Sequence, residues 1–313
     1  MSVIPPFSDV KLSAPIDLSL VRQLFSNTER VAGSDFLRRE IASRMQERLA
    51  LINIEPQQVL DAGCGEGADL LVLQQRFPAA QVIGLDGASA MLAVALERRR
   101  QAWSSLHRWL SAWLPAGRRA DQASGQLLCG DFAQLPFGTN ALDLVWSNLA
   151  LHWHPQPDRL FAEWRRVLRV GGVVMFSCFG PDTFREIRQA FEAVDDAPHV
   201  LPFVDMHDFG DMLVTAGFST PVMDMEMITV TYDSAQQLLR DARAWGGNPL
   251  ETRQRGLLGR AAKERLIQAL ESQRRPDGKL GLSFEVVYGH AFRPEAKKIA
   301  SGESIIRFDS PKK

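Results

Sequence analysis

Apolar residues in the early part of the chain recur at helical spacing. Between Ile16 and Ile54, Phe36, Ile41, Met45, Leu49 and Leu51 interleave with Arg38, Arg39, Glu40 and Arg44, which predicts amphipathic helix. The rhythm breaks at Val59-Leu60-Asp61, a short apolar run ending in a glycine cluster, and helix resumes from Ala68 to Phe77. A second short strand covers Gln81 to Asp86, with helix from Ser89 to about Arg100. Leu127-Leu128-Cys129 and Leu142 to Ser147 read as further strands. Leu160, Phe161, Trp164, Val167 and Leu168 mark one helix face, which Gly171-Gly172 is expected to close before a buried strand from Val173 to Ser177.

The later part loses this alternation. Phe209 to Ala216 reads as helix and Val222 to Tyr232 as a long strand; Ser234 to Arg274 is helical and basic, and Phe284 to Phe292 is a final strand. Strands alternating with helices predict a doubly wound α/β fold, its sheet covered on both faces. We expect a seven-stranded, mostly parallel sheet with the last strand antiparallel. A helical amino-terminal cap would occupy residues 1–54 and the main domain 55–293, with helical insertions at about 98–125 and 233–280. Residues 294–313 read as a loose tail.

Composition changes this picture little. Hydrophobic content of 45% and charged content of 23% are ordinary for a globular protein, and the formal net charge of -1 argues for neither nucleic acid nor membrane. No segment approaches the ~18 consecutive apolar residues of a membrane span. The three cysteines, Cys64, Cys129 and Cys178, form no CxxC pair, so neither a disulfide framework nor a zinc site is expected. These features fit a reduced, cytoplasmic, monomeric protein. The insertion near 98–125 carries Trp103, Leu106, Trp109, Leu110 and Trp113 among arginines, either as a packed surface helix or as a contact for a partner or membrane surface.

Candidate chemistry begins at Asp61-x-Gly63-x-Gly65-x-Gly67, which follows one expected strand and opens one expected helix. Glycines let the backbone turn sharply and approach a ligand closely. The spacing is not the G-x-G-x-x-G of dinucleotide sites, and such a turn also occurs without a ligand. Asp86 ends the second strand, where a carboxylate either accepts from both ribose hydroxyls of an adenosine or caps the next helix. NAD would use the same two features.

A third element is Gly130-Asp131-Phe132, and a fourth is the run from Leu142 through Asn148 and Leu149 to Trp153. In this order, with Val170-Gly171-Gly172-Val173, these motifs resemble the class I S-adenosylmethionine-dependent methyltransferases over roughly residues 55–180. The resemblance implies S-adenosylmethionine as cofactor, held by Asp61, Gly63, Gly65, Gly67, Asp86, Gly87, Met91, Asp131, Phe132, Asn148 and Leu149. It implies that Asp131 meets the adenine amino group, while Phe132 packs on the ring.

Phe179-Gly180-Pro181-Asp182-Thr183-Phe184-Arg185-Glu186-Ile187-Arg188, Phe203 to Asp211, Pro221 to Glu226 and Glu285 to His290 extend the resemblance over nearly the whole chain. They are similar to the malonyl-acyl-carrier-protein O-methyltransferase family of biotin synthesis. They are also similar to a mitochondrial complex I assembly family on the same fold, which hydroxylates an arginine. The first likeness implies a malonyl-acyl carrier protein as partner and methylation of its free carboxylate. Both families usually carry a tyrosine in the amino-terminal helices; here Phe25 to Asp35 has none, and the chain's two tyrosines are Tyr232 and Tyr288.

A carboxylate acceptor is ionised at neutral pH and requires no general base, so no catalytic residue is assigned. It does require a donor to hold it. His152, Arg185, Arg188 and Arg240 are the candidates, each with an ordinary loop or solvated-helix reading beside it. His207 lies among Asp205, Asp208 and Asp211, where helix capping accounts for the acids more simply than a metal does. Between Arg240 and Lys279 bases outnumber acids, which fits either steering of an acidic carrier or a solvated helix surface.

Overall fold

A computed structural model describes residues 14–110, 126–245, 247–254, 256 and 258–295, with the side chains of 102–110 excepted. Three helices lead: α1 (Leu18–Phe25), α2 (Thr28–Ala32) and α3 (Asp35–Leu49). Asp17 caps α1 through the Ser19 and Leu20 N–H groups, and Asn27 caps α2. The buried stripe of α3 is Leu37, Ile41, Met45 and Leu49, while Phe36 and Leu51, expected on that face, are exposed. A run at every fourth residue outcompetes the looser pattern.

Strand and helix then alternate through β1 (Gln58–Ala62), α4 (Ala68–Arg76), β2 (Gln81–Asp86), α5 (Ser89–Leu110), β3 (Leu127–Cys129), β4 (Leu142–Asn148), α6 (Pro157–Val167) and β5 (Leu168–Phe179). After them come α7 (Arg185–Glu192), α8 (Met206–Thr215), β6 (Ser219–Tyr232), α9 (Ala235–Ala244), α10 (Arg260–Glu271) and β7 (Leu280–Phe292). The strands form one seven-stranded sheet in the order β3-β2-β1-β4-β5-β7-β6. β7 inserts antiparallel to both β5 and β6, and the pairs among β1 to β5 are parallel. This is the doubly wound α/β fold expected, with its last strand reversed.

Helices cover both faces. On one face α3, α4, α9 and α10 pack over Val59, Val82, Trp146, Met175 and Phe284; on the other, α6 and α8 bury Phe161, Trp164 and Phe209 against Phe176 and Val287. No helix among the described residues is long and apolar enough to cross a membrane. The tryptophan-rich insertion, with Trp103, Trp109 and Trp113, lies outside the described side chains; the backbone of its first turns simply prolongs α5 to Leu110. Most of the expected tail also lies outside the described residues.

Two boundaries differ from expectation. α6 stops at Val167, and Gly171-Gly172 sits inside β5. The N–H groups of Asn140 and Ala141 donate to the carbonyls of Arg166 and Val167, so the chain just before β4 satisfies the helix end that a glycine cap would otherwise serve. The basic stretch from Ser234 to Arg274 is not one helix but α9 and α10, separated by irregular chain.

The irregular chain matters because it meets the amino terminus. Ile16 bridges Leu250, the Asp17 N–H donates to the Pro249 carbonyl at 3.0 Å, and the Glu251 N–H donates to the Pro15 carbonyl at 2.9 Å. These bonds tie the chain just before α1 to the chain after α9.

The segment Phe179 to Arg188 forms a clasp on β7. Glu285 accepts from the Asp182 N–H at 2.7 Å, and the Thr183 hydroxyl donates to the Glu285 carbonyl at 3.1 Å. A Cβ at Gly180 would stand 2.5 Å from Glu285 Cδ. Gly180→Ala is therefore expected to cost about 1–3 kcal/mol of stability through overpacking. Chemical denaturation checks this; an unchanged midpoint contradicts the tight contact.

Candidate active site

The carboxyl ends of β1, β2 and β4 surround a cavity with about 1220 Å³ of empty space, solvent at its mouth included. It opens where strand order reverses between β1 and β4, the place where open α/β sheets take their ligands. The amino-terminal helices roof it with Leu18, Val21, Phe25, Ser34 and Arg38, and Trp245 at the end of α9 closes one side. Phe25 rests edge-on against Trp153, with ring centres 5.2 Å apart. The ring this segment brings to the cavity thus carries no hydroxyl.

The glycine turn is built around positive φ. Gly63 has φ +83° and Gly65 φ +52°, values that L side chains rarely adopt. Their surroundings differ. A Cβ on Gly63 would lie 2.3 Å from Ala150 Cβ, whereas one on Gly65 would meet nothing within 4 Å. Gly63 is therefore needed for packing against the loop after β4, and Gly65 leaves open space at the cavity.

Asp86 serves two purposes. One oxygen accepts from the Gly65 N–H at 2.8 Å and the other from the Ala88 N–H at 2.7 Å. The carboxylate ties the glycine turn to the entry of α5 and still lines the cavity, with lone pairs to spare. Asp131 uses one oxygen to accept from the Ala133 N–H at 2.8 Å.

A second set of acids lies deeper. Asp61 is buried with its Oδ2 unpartnered. Asp69, on the first turn of α4, accepts from Trp146 Nε1 at 2.9 Å and Asn148 Nδ2 at 3.1 Å. Burial pushes the carboxyls of Asp61, Asp69 and Asp86 upward, and at Asp61 the negative charges of Asp69 and Asp86 add to it. A cation entering the cavity would relieve that cost. The orphaned Asp61 oxygen and the bare space above Gly65 together fit a cationic ligand with a group that needs close backbone approach.

His152 sits on a short 3-10 turn, Leu151–Trp153, just after β4. Its ring is buried among Trp153, Phe179 and Phe203, and the Phe179 N–H points at Nδ1 from 3.4 Å. That leaves the proton on Nε2, which has no partner. Burial pushes the imidazole down to about 3, so it stays neutral at physiological pH. The ring lines the cavity as an uncharged donor.

Asp61, Gly63, Gly65, Asp86, Gly87, Met91, Asp131, Phe132, Asn148, Leu149 and His152 are thus brought together. Four expected residues are not. Gly67 starts α4 behind the cavity, its Cα facing Ala95. Arg185 pairs with Asp182 and Glu186, and Arg188 donates to the carbonyls of Pro181 and Thr183 within the clasp. Arg240 is exposed on α9 and does not line the cavity. Local acceptors hold the first two arginines, and none of the three lines this cavity. Asp205 caps α8 and meets His207 Nδ1 at 2.7 Å, as the capping reading requires.

Sequence reasoning missed Arg38, Asp69 and Trp245 as lining residues. Asp69 carried a signal, an acid on the first turn after the glycine motif. Arg38 and Trp245 carried none, because they reach the site only through the docking of distant helices.

A family model described as a methyltransferase domain matches residues 60–176. The malonyl-acyl-carrier-protein O-methyltransferase of Laribacter hongkongensis is 46% identical to this chain over 278 residues, spanning 87% of the chain and 89% of that protein. The enzyme of the same name from Gallionella capsiferriformans is 44% identical over 295 residues, spanning 93% and 96%. Among solved structures, phosphoethanolamine N-methyltransferase 2 of Haemonchus contortus, in complex with S-adenosylhomocysteine, superposes with a TM-score of 0.50 at 16% identity. The match covers 88% of this chain and 61% of that one. At that identity the likeness is one of fold.

Proposed function

The chain belongs to the malonyl-acyl-carrier-protein O-methyltransferase family, and we propose that it methylates the free carboxylate of a malonyl thioester on an acyl carrier protein, with S-adenosylmethionine as donor. The observation that carries this reading is His152, a buried, neutral donor without a partner, placed after β4 at the inner end of the cavity.

When bound, S-adenosylmethionine supplies an electrophilic methyl group whose C–S bond breaks as the acceptor oxygen forms a C–O bond, the electron pair staying on sulfur. The residues divide the work of binding it. Asp86 would receive the ribose hydroxyls, and Asp131 and Phe132 would hold the adenine. Asp61 and Asp69 offer negative charge to the ammonium and sulfonium end. The roof formed by Phe25, Val21 and Leu18 excludes water, which strengthens every charge interaction beneath it.

The acceptor carboxylate arrives ionised, so no residue has to move a proton. His152 Nε2 donates to it and fixes its direction. A neutral donor suits this position. A charged one would repel the cationic donor and hold the nucleophile's electrons too tightly.

His152→Ala is expected to lower kcat about 10- to 100-fold, the range of one hydrogen bond to a charged group. The cofactor Kd should stay within about twofold, which calorimetry checks. Because neither His152 nor the acceptor titrates near neutrality, kcat should be flat across the usual histidine range. A rate step in that range that disappears in the variant contradicts a neutral His152.

The direct test is incubation with labelled S-adenosylmethionine and malonyl-loaded carrier protein, with unloaded carrier as control. Label in an alkali-labile ester on the loaded carrier alone supports the reading. Cofactor binding without transfer to that substrate overturns it.

A further inference from the structure

A second cavity adjoins the first, and the two share the rings of Trp153, Phe179 and Trp245 in their walls. It lies between α7, α9 and α10, with Ile187, Phe191, Phe203, Leu239, Ala242 and Leu266 giving it an apolar lining. Polar groups gather at its edge. His199 stacks on Phe191 with ring centres 3.6 Å apart and meets Asp195 at 2.7 Å. Asn248 Nδ2 donates to the Pro198 carbonyl at 2.7 Å, strapping the chain after α9 to the loop before α8. Arg243 lines the cavity from the exposed side of α9, and its side chain makes no hydrogen bond or ion pair among the described residues.

Nothing in the binding of the methyl donor uses this space. Its chemistry is that of a sleeve: apolar walls, a few amide and imidazole groups, one uncommitted cation outside, and an inner end at the aromatic partition beside His152. We propose that it receives the thioester arm of the acyl carrier, with Arg243 meeting the arm's phosphate and the carboxylate entering past Trp153 and Trp245. This rests on the function proposed above and adds the route by which the acceptor reaches the methyl group.

The arm of a carrier protein fits these features in order. Its phosphate needs an exposed cation. Its methyl-branched and amide segments need a mixed apolar channel with occasional hydrogen-bond partners. Its carboxylated end must arrive without a water shell. Helices α9 and α10 and the Asn248 strap thus select for a long thioester over a free small acid.

Two variants and two substrates test this. The substrates are the malonyl carrier protein and malonyl N-acetylcysteamine, a short thioester lacking the phosphate. Ala242→Trp, which fills the sleeve, should raise KM for the carrier at least about tenfold with the S-adenosylmethionine Kd unchanged. Arg243→Glu, on the exposed rim and safe for folding, should raise KM for the carrier by about tenfold and leave the short thioester unaffected. Wild-type kinetics in both variants, or equal loss on both substrates in Arg243→Glu, overturns the sleeve while the proposed function stands. A wild-type protein that methylates neither thioester overturns both.

Discussion

The Gly63→Ala protein is expected to lose about 2–4 kcal/mol of stability and at least about a hundredfold in cofactor affinity. Two costs combine there. An L residue at φ +83° is strained by about 1–2 kcal/mol, and the new methyl would sit 2.3 Å from Ala150 Cβ, a clash that only a backbone shift relieves. The shift moves the loop that carries His152, so binding and rate fall together. Gly65→Ala is the informative partner. Its φ of +52° costs about 1 kcal/mol and its methyl meets no protein atom within 4 Å. Stability should stay close to the parent while affinity drops, because the methyl projects where the ligand approaches. Denaturant titration and calorimetry with S-adenosylmethionine separate the two; equal stability losses would contradict the assignment of Gly65 to the ligand.

Asp61→Asn is expected to push stability and binding in opposite directions. The wild-type carboxyl is buried beside Asp69 and Asp86, has an orphaned Oδ2, and is pushed well above the usual carboxylate range. A raised folded-state value means the native protein holds a proton that the unfolded chain releases. Stability of the ligand-free protein is then fully present below about pH 4 and falls as pH rises toward the shifted value. Asparagine removes that slope and gives the buried position a donor for Asp69 or Asp86, so the ligand-free variant should be more stable by about 1–2 kcal/mol at neutral pH. Cofactor affinity should fall about a hundredfold, since the charge that faces the cation is gone. Thermal melts at several pH values with and without S-adenosylmethionine check this; a variant less stable at neutral pH and unchanged in affinity contradicts the role given to Asp61.

What could be read from sequence was local. Asp61, the glycine turn, Asp86 and Asp131 each lie at the end of a short apolar run, so a strand and its carboxyl end are identified within a few residues. The sheet reversal was legible too: two late strand-like runs, one on each side of the basic helical segment, fit a sheet whose last strand is antiparallel. The surroundings of the arginines in the Phe179–Arg188 segment were not legible, because sequence shows charge but not the acceptors it meets. Asp182, Glu186 and the Pro181 carbonyl take them, and Glu285, far along the chain, organises the turn. Gly171-Gly172 misled for a similar reason, since the α6 carbonyls are satisfied from Asn140 and Ala141. Arg38 and Trp245 reach the cavity only through contacts between distant parts of the chain, which no short window contains.

The bridge of Ile16 to Leu250, with the bonds around it, also sets the order in which the protein becomes competent. The roof precedes its anchor in the chain, and that anchor emerges only after β6 and α9. During synthesis α1 and α2 must wait undocked while the sheet assembles beneath them, and the loop they close spans most of the molecule, an entropic debt that local contacts do not offset. α1 and α2 are therefore expected to be the last part to fold and the first to exchange their amide hydrogens, unlike α3, whose Leu37, Ile41, Met45 and Leu49 are in the core.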